Sequence, residues 1–227
     1  MKSLVLMSGG LDSTTILAIA KARKEEVFGI TFNYAQRHHQ EIKRAIEIAK
    51  IYNIEHKIIN LDLRAIGGSS LTDENIEVQK YNNSVPEAFT SSYVPARNLV
   101  FLSVAMSYAE VIKAQVIYCG ANKSDYHNYP DCRKEFFDSF NQISKYATVA
   151  GVNGSIIKVE TPLIEMEKTD IIKTGLELGV DYGKTISCYA PDDNGDACGS
   201  CLSCSVRLEN FNKVGISDPA SYSKVCK

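Results

Sequence analysis

The apolar run "SLVLM" (Ser3 to Met7) breaks at once into "SGGLDSTT" (Ser8 to Thr15). A short strand-like run ending in paired glycines and then in residues of helical period is a strand–turn–helix unit. That unit constrains the rest of the chain, because a strand buried on both faces needs parallel neighbours, and parallel neighbours need crossover helices. The turn itself gathers free backbone N–H groups and the positive end of a helix, which makes it a cradle for an anion such as phosphate. It is neither the Walker loop, whose G-x-x-x-x-G-K-[ST] pattern requires a lysine, nor the G-x-G-x-x-G dinucleotide loop. Read structurally, the same residues form a glycine turn with Asp12 or Ser13 as helix cap.

The unit recurs. "VFGITF" (Val27 to Phe32), "HKIINL" (His56 to Leu61), "QVIYC" (Gln115 to Cys119) and "SIIKVE" (Ser155 to Glu160) read as further strands. Between them, Gln36 to Tyr52 sets Ile42, Ala45, Ile46, Ala49 and Tyr52 on one helical stripe, and Arg97 to Ala114 reads as a largely apolar helix. The pattern predicts an α/β fold: a doubly wound, mostly parallel, Rossmann-like sheet over residues 1–184, with a C-terminal segment, 185–227, packed on the same body. The polar stretch from Leu63 to Pro95 interrupts the alternation and is long enough to serve as a lid or binding loop.

Of seven cysteines, Cys198, Cys201 and Cys204 stand in C-x-x-C-x-x-C spacing, with Cys188 ten residues before the first of them. Tetrahedral Zn²⁺ takes four such thiolates, and an iron–sulfur cluster also accepts four, so the spacing leaves both open. Four protein ligands leave no position for substrate, so the site is expected to be structural. Cys119, ending a strand, is expected in the core, Cys132 to be inert and Cys226 to lie in the tail. A formal charge of −2 lacks the basic footprint of a nucleic-acid binder. No run has the length of a membrane span, no leader-like segment follows Met1, and the cysteine usage suits a reducing compartment, so a cytoplasmic protein is expected.

The string Ser8, Gly9, Gly10, Asp12, Ser13 resembles the S-G-G-x-D-S loop of the PP-loop ATP pyrophosphatase superfamily. Together with "FNYAQRHHQEI", "YVPARNLVFLS", "YHNYPDCR", "TPLIEMEK" and "CYAPDDNGDACGSCLSCSVR", it makes the chain resemble, nearly end to end, the 7-cyano-7-deazaguanine synthase family of queuosine biosynthesis. The resemblance implies an ATP-dependent carbon–nitrogen ligase, a homodimer, using Mg²⁺ and Zn²⁺. It would convert 7-carboxy-7-deazaguanine and ammonia to the nitrile through adenylated intermediates, splitting ATP into AMP and pyrophosphate. It implies that Met7, Ser8, Gly9, Gly10, Leu11, Asp12, Ser13 and Thr14 hold the nucleotide's phosphates and that Phe32 seats the adenine through backbone groups. Asp12, Ser13 and Lys168 would stand at the chemistry, Asp12 beside Mg²⁺ and Lys168 supplying the charge the loop lacks; the alternatives are a helix cap and a solvated lysine. Arg97, grouped with the nucleotide contacts, follows a Pro-containing loop and suits a carboxylate or a phosphate. Asp125, Tyr129, Asp131 and Arg133 would meet the flat ring, an acid pairing with its N–H edge and a tyrosine stacking on its face. Cys188, Cys198, Cys201 and Cys204 would hold the zinc. His38 and His39 receive no catalytic role. Ala96 stands where the family usually has glycine, which argues against a left-handed backbone there.

Overall fold

The computed structural model describes residues 1–36, 40–77 and 91–223. The elements run β1 (Lys2–Leu6), α1 (Leu11–Ala22), β2 (Glu26–Asn33), α2 (Gln40–Ile51), β3 (Glu55–Asn60), α3 (Arg97–Ile112) and β4 (Val116–Tyr118). They continue with α4 (Lys134–Ala147), α5 (Val149–Val152), β5 (Lys158–Glu160), α6 (Lys168–Glu177) and α7 (Leu202–Val214). The sheet has the order β3-β2-β1-β4-β5, with every pair parallel. The order reverses between β1 and β4, and the crevice outside the carboxyl ends at such a point is where open α/β sheets bind ligands.

Alternation along the strands divides the core in two. Leu4, Ile30 and Ile117 point to one face with Leu102, Ala105 and Met106 of α3 and Phe137 and Phe140 of α4. Val5, Val27 and Val116 point to the other, against Ile16 and Leu17 of α1, Ala45 and Ile48 of α2, and Ile171 and Ile172 of α6. Both faces of the central strands are therefore dry, which is why they read as continuous apolar runs. The sheet is doubly wound as expected, although β4 and β5 are only three residues long. Beyond β4 the Cys119 N–H still donates to the Glu160 carbonyl at 3.0 Å while the residue lines the cleft, and the Ser155 N–H donates to the Ala150 carbonyl of α5 at 2.8 Å. Among the described residues no helix is long and apolar enough to cross a membrane.

Three local expectations are corrected. Neither Asp12 nor Ser13 caps α1; the cap is Gly10, in extended backbone with no side-chain hydrogen bond, because both side chains are engaged elsewhere. The second helix is described from Gln40, and Gln36 is not helical; His38 and His39 lie outside the described residues, as does Cys226. Ala96 is left-handed after all, at φ 52° and ψ 26°, a conformation that costs a Cβ-bearing residue roughly 1–2 kcal/mol. The surroundings impose it: the Ala96 N–H donates to the Tyr93 hydroxyl at 3.1 Å, while its carbonyl already accepts the Val100 N–H at 3.1 Å as the first bond of α3.

The polar stretch after Leu63 folds back on itself. Ser70 N–H donates to the Ser91 carbonyl at 2.8 Å, and Leu71 and Ser92 join the wall of the cleft. At the other end of the chain α7 packs on α6, and Phe211 meets Tyr182 edge-on at 5.6 Å. Helix α6 can admit Tyr182 only because Gly175 lacks a Cβ, which would overlap the tyrosine hydroxyl. That hydroxyl lies 2.8 Å from Thr15 Oγ1 and so ties α6 to α1.

Candidate active site and metal centre

A cleft of about 370 Å³ opens at the carboxyl ends of β1, β2 and β4, lined by the glycine loop, Phe32, Gly120 and the starts of α3, α6 and α7. Gly9 has φ +75°, and a Cβ there would come within 2.6 Å of the Glu41 carbonyl and 2.7 Å of the Ala45 nitrogen. The loop can therefore lie on the start of α2 only as glycine. Its hydroxyls are spent internally: Ser13 Oγ lies 3.1 Å from Ser8 Oγ and donates to the Gly10 carbonyl, and Thr14 Oγ1 donates to the same carbonyl at 2.8 Å. The backbone N–H groups of Leu11, Asp12 and Ser13 meet no acceptor among the described residues, the usual condition of a helix start. Met7, Ser8, Gly10, Leu11, Asp12 and Ser13 line the cleft; Gly9 and Thr14 support it from behind. The Ile186 N–H fixes the loop from outside by donating to the Gly9 carbonyl at 3.0 Å.

Lys168, the first residue of α6, donates to both carboxylate oxygens of Asp12, at 2.9 and 2.8 Å. It is not a solvated helix-start lysine, since its side chain is only 15% exposed. Burial works against the ammonium, but Asp12 and Asp125 more than offset it, so its pKa is raised and it stays charged. Asn122, fully buried, connects the two acids: its side-chain amide donates to Asp125 Oδ2 at 2.8 Å and reaches Asp12 Oδ2 at 3.5 Å. Burial and the Asp12 charge push the Asp125 carboxyl up to about 6, against the pull of Lys168 and Arg97.

The other wall is aromatic. Phe32 stacks on Phe101 with centroids 4.2 Å apart and planes 12° apart, and the Arg97 guanidinium lies 5.8 Å from the Tyr34 centroid and 5.9 Å from that of Phe101. The Tyr129 hydroxyl sits 2.9 Å from that of Ser92. Asp131 and Arg133 do not line the cleft. Asp131 is buried and accepts the Asn98 N–H at 2.8 Å, which holds the first turn of α3, while Arg133 caps nothing in the cleft and lies over the Tyr126 ring. The geometry thus groups Asp125 and Tyr129 with the glycine loop and leaves the other pair outside. Cys119 and Cys132 both face the cleft, and burial pushes both thiols up, Cys119 to about 11, so neither is a thiolate at neutral pH.

Three cleft residues were not singled out by the sequence. Glu41 starts α2 beside the loop, and burial raises its carboxyl to about 7 against the pull of Arg97. Tyr189 is held far above the usual phenol range by burial next to Tyr129. Arg207 of α7 forms a bidentate pair with Asp218 at 2.7 and 2.9 Å and donates to Thr185 Oγ1 and the Tyr182 carbonyl. This network is dry and fully satisfied, and it fastens the chain end to the segment that pins the glycine loop.

Cys188, Cys198, Cys201 and Cys204 bring their sulfurs within 4.8 Å of one another. Cys201 is also the cap of α7, so the cluster fixes the helix whose Leu202, Ser203, Val206 and Arg207 line the cleft.

A doubly wound parallel sheet with a lysine-free S-G-G-x-D-S loop at its switch point defines an α/β protein whose anion-binding glycine loop opens onto a ligand cleft. Over 98% of this chain and 92% of the other, the fold is shared with the crystal structure of a predicted subunit of a tRNA methyltransferase from Methanocaldococcus jannaschii, at a TM-score of 0.51 and 20% identity. The profile described as "Queuosine biosynthesis protein QueC" matches residues 2–215, and the chain belongs to that family. Among relatives, "7-cyano-7-deazaguanine synthase" of Rickettsia canadensis is 51% identical over 226 residues, covering 98% of this chain and all of that one. Its counterpart in Rickettsia akari is 50% identical over 224 residues, covering 97% and 99%.

Proposed function

We propose that the chain converts 7-carboxy-7-deazaguanine, ammonia and ATP to 7-cyano-7-deazaguanine in queuosine biosynthesis. What carries the reading is the identity of about half the residues, over nearly the full length, with relatives of that name. The cleft supports it chemically. A carboxylate is a poor electrophile until its oxygen becomes a leaving group. In the proposed sequence a substrate carboxylate oxygen attacks the α-phosphorus of ATP, pyrophosphate departs, and ammonia displaces AMP to give the amide and a proton. The amide oxygen then attacks the α-phosphorus of a second ATP and pyrophosphate again departs; loss of AMP and the amide's two protons leaves the nitrile. Pyrophosphate would rest on the N–H groups of Leu11, Asp12 and Ser13 and on Lys168, with the adenine beside Phe32. Asp12, linked to Asp125 through Asn122, would hold Mg²⁺, which when bound neutralises charge on the departing pyrophosphate. The carboxyl of Asp125 and the ring of Tyr129, both lining the cleft, would meet the substrate's N–H edge and face.

We assign the cysteine cluster to Zn²⁺. Bonds of about 2.3 Å in a tetrahedron set sulfurs roughly 3.8 Å apart, which suits four atoms all within 4.8 Å, whereas thiolates on separate irons of a cluster stand further apart. We also read the protein as a cytoplasmic homodimer, its segment 185–227 a metal-braced part of the same domain. Ile143, Tyr146, Val149 and Val152 of α4 and α5 form an apolar patch, 52–82% exposed, that a second copy would cover. Light scattering on Tyr146→Glu should then report a monomer where the parent is a dimer; an unchanged mass would move the interface elsewhere.

The test of the reaction is product analysis with ATP labelled in the α position. AMP and pyrophosphate should form only when the carboxylated base is present, and the base should gain the nitrile's mass when ammonium is supplied. Release of ADP and phosphate, or turnover indifferent to the base, would defeat the reading.

A further inference from the structure

Besides Arg207, which is paired with Asp218, the cleft holds two cations that approach from opposite faces of the sheet. Lys168 belongs to α6, packed on one face, and Arg97 to α3, packed on the other. Their situations differ. Lys168 already gives two hydrogen bonds to Asp12. The Arg97 guanidinium, among the described residues, has no carboxylate within 4.0 Å; it lies over the Tyr34 and Phe101 rings and has the Tyr34 hydroxyl as a hydrogen-bonding partner. The remaining N–H donors of the fork are thus offered beside a flat aromatic wall. The acids around it do not take that place. Asp131 is occupied by the Asn98 N–H, and neither Glu41 nor Asp125 comes within ion-pair distance of the guanidinium. A planar heterocycle bearing a single carboxylate complements this arrangement: ring against the aromatic wall, two oxygens in the fork.

We infer that Arg97 binds the carboxylate of the incoming base, not the phosphates of ATP, and so serves the first half of the reaction and not the second. The acid carries the charge Arg97 recognises, and the amide formed from it does not. This rests on the reading of the preceding section, and binding measurements separate the two.

The experiment compares the acid with the corresponding 7-carboxamide, using the parent, Arg97→Met and Arg97→Lys. For Arg97→Met, KM for the acid should rise on the order of 100-fold, as expected for loss of a charge-assisted bidentate contact, while KM for ATP and conversion of the amide to the nitrile stay within about threefold. Arg97→Lys should recover part of the acid's binding. Equal losses on acid and amide, a raised KM for ATP, or an unchanged KM for the acid would each overturn the assignment. Calorimetric binding of acid and amide scores Arg97 without turnover: selective loss of acid binding supports it, and equal binding by parent and variant overturns it. A parent that converts neither compound would count against the proposed reaction alone.

Discussion

Asp12→Asn should remove most turnover while leaving the protein folded. The carboxylate takes two hydrogen bonds from Lys168 and one long contact from Asn122, and it lies in the first turn of α1 without capping it. A role as cap would make asparagine nearly neutral, since Asn caps as well as Asp. Under the proposed role, the charge matters most when negative charge gathers on the departing pyrophosphate, whether Asp12 acts through Mg²⁺ or by aiming Lys168. Loss of it should lower kcat roughly 10²- to 10³-fold, with ATP still bound. Asn keeps the shape and one acceptor, and the pair is partly exposed, so stability should fall by only about 1 kcal/mol, a few degrees in Tm. Lys168→Met should produce a similar loss, and the double variant should be little worse than either, because groups that act as a unit do not add. Steady-state kinetics beside calorimetric ATP binding make the check. A kcat within about threefold of the parent would return Asp12 to a structural role.

What the sequence discloses here is mostly what periodicity and spacing encode. The runs at Ser3 to Met7 and Val27 to Phe32 are dry on both faces, so their composition announces buried parallel strands, and the glycine loop is legible because the close approach of Gly9 to α2 tolerates no other residue. The four cysteines are legible because one helical turn brings Cys201 and Cys204 together and the turn before it adds Cys198. Long-range polar pairing leaves no such trace. Asn122 looks like any loop asparagine until the fold sets it between Asp12 and Asp125. Arg207 and Asp218 are separated by eleven residues and a turn, with nothing in either neighbourhood to announce a dry ion pair. Asp131 and Arg133 sit in the same motif as Tyr129, but the 3-10 turn at Pro130–Cys132 sends one inward to α3 and the other outward to Tyr126. Ala96 shows the reverse failure: residue type argued for ordinary backbone, and the contacts around the start of α3 overruled it.

Cys201→Ser should cost the protein its bound metal and, with it, the order of the segment that closes the cleft. The purified parent should carry about one zinc per chain by elemental analysis and be colourless; the variant should carry little. The four sulfurs are mostly buried and form their own small core with Ile186 and Ala197, a cluster with few apolar atoms to hold it otherwise. Structural zinc contributes on the order of 10–16 kcal/mol to the folding of isolated zinc-binding peptides, so losing it outweighs most single substitutions elsewhere in the chain. The damage should spread in a definite order. Cys201 caps α7, and α7 carries Arg207, whose bonds to Thr185 and the Tyr182 carbonyl steady the segment that reaches the glycine loop through Ile186. Hydrogen exchange should therefore quicken first in residues 186–223 and later around Ser8 to Gly10, while β1, β2 and the core of α3 keep their protection. Activity should fall with KM for ATP raised, because the loop is loosened and its chemistry left intact. Iron with visible absorbance in the parent would replace zinc by a cluster. A metal-free parent, active and as stable as before, would remove the metal from the account and leave the cysteines as packing.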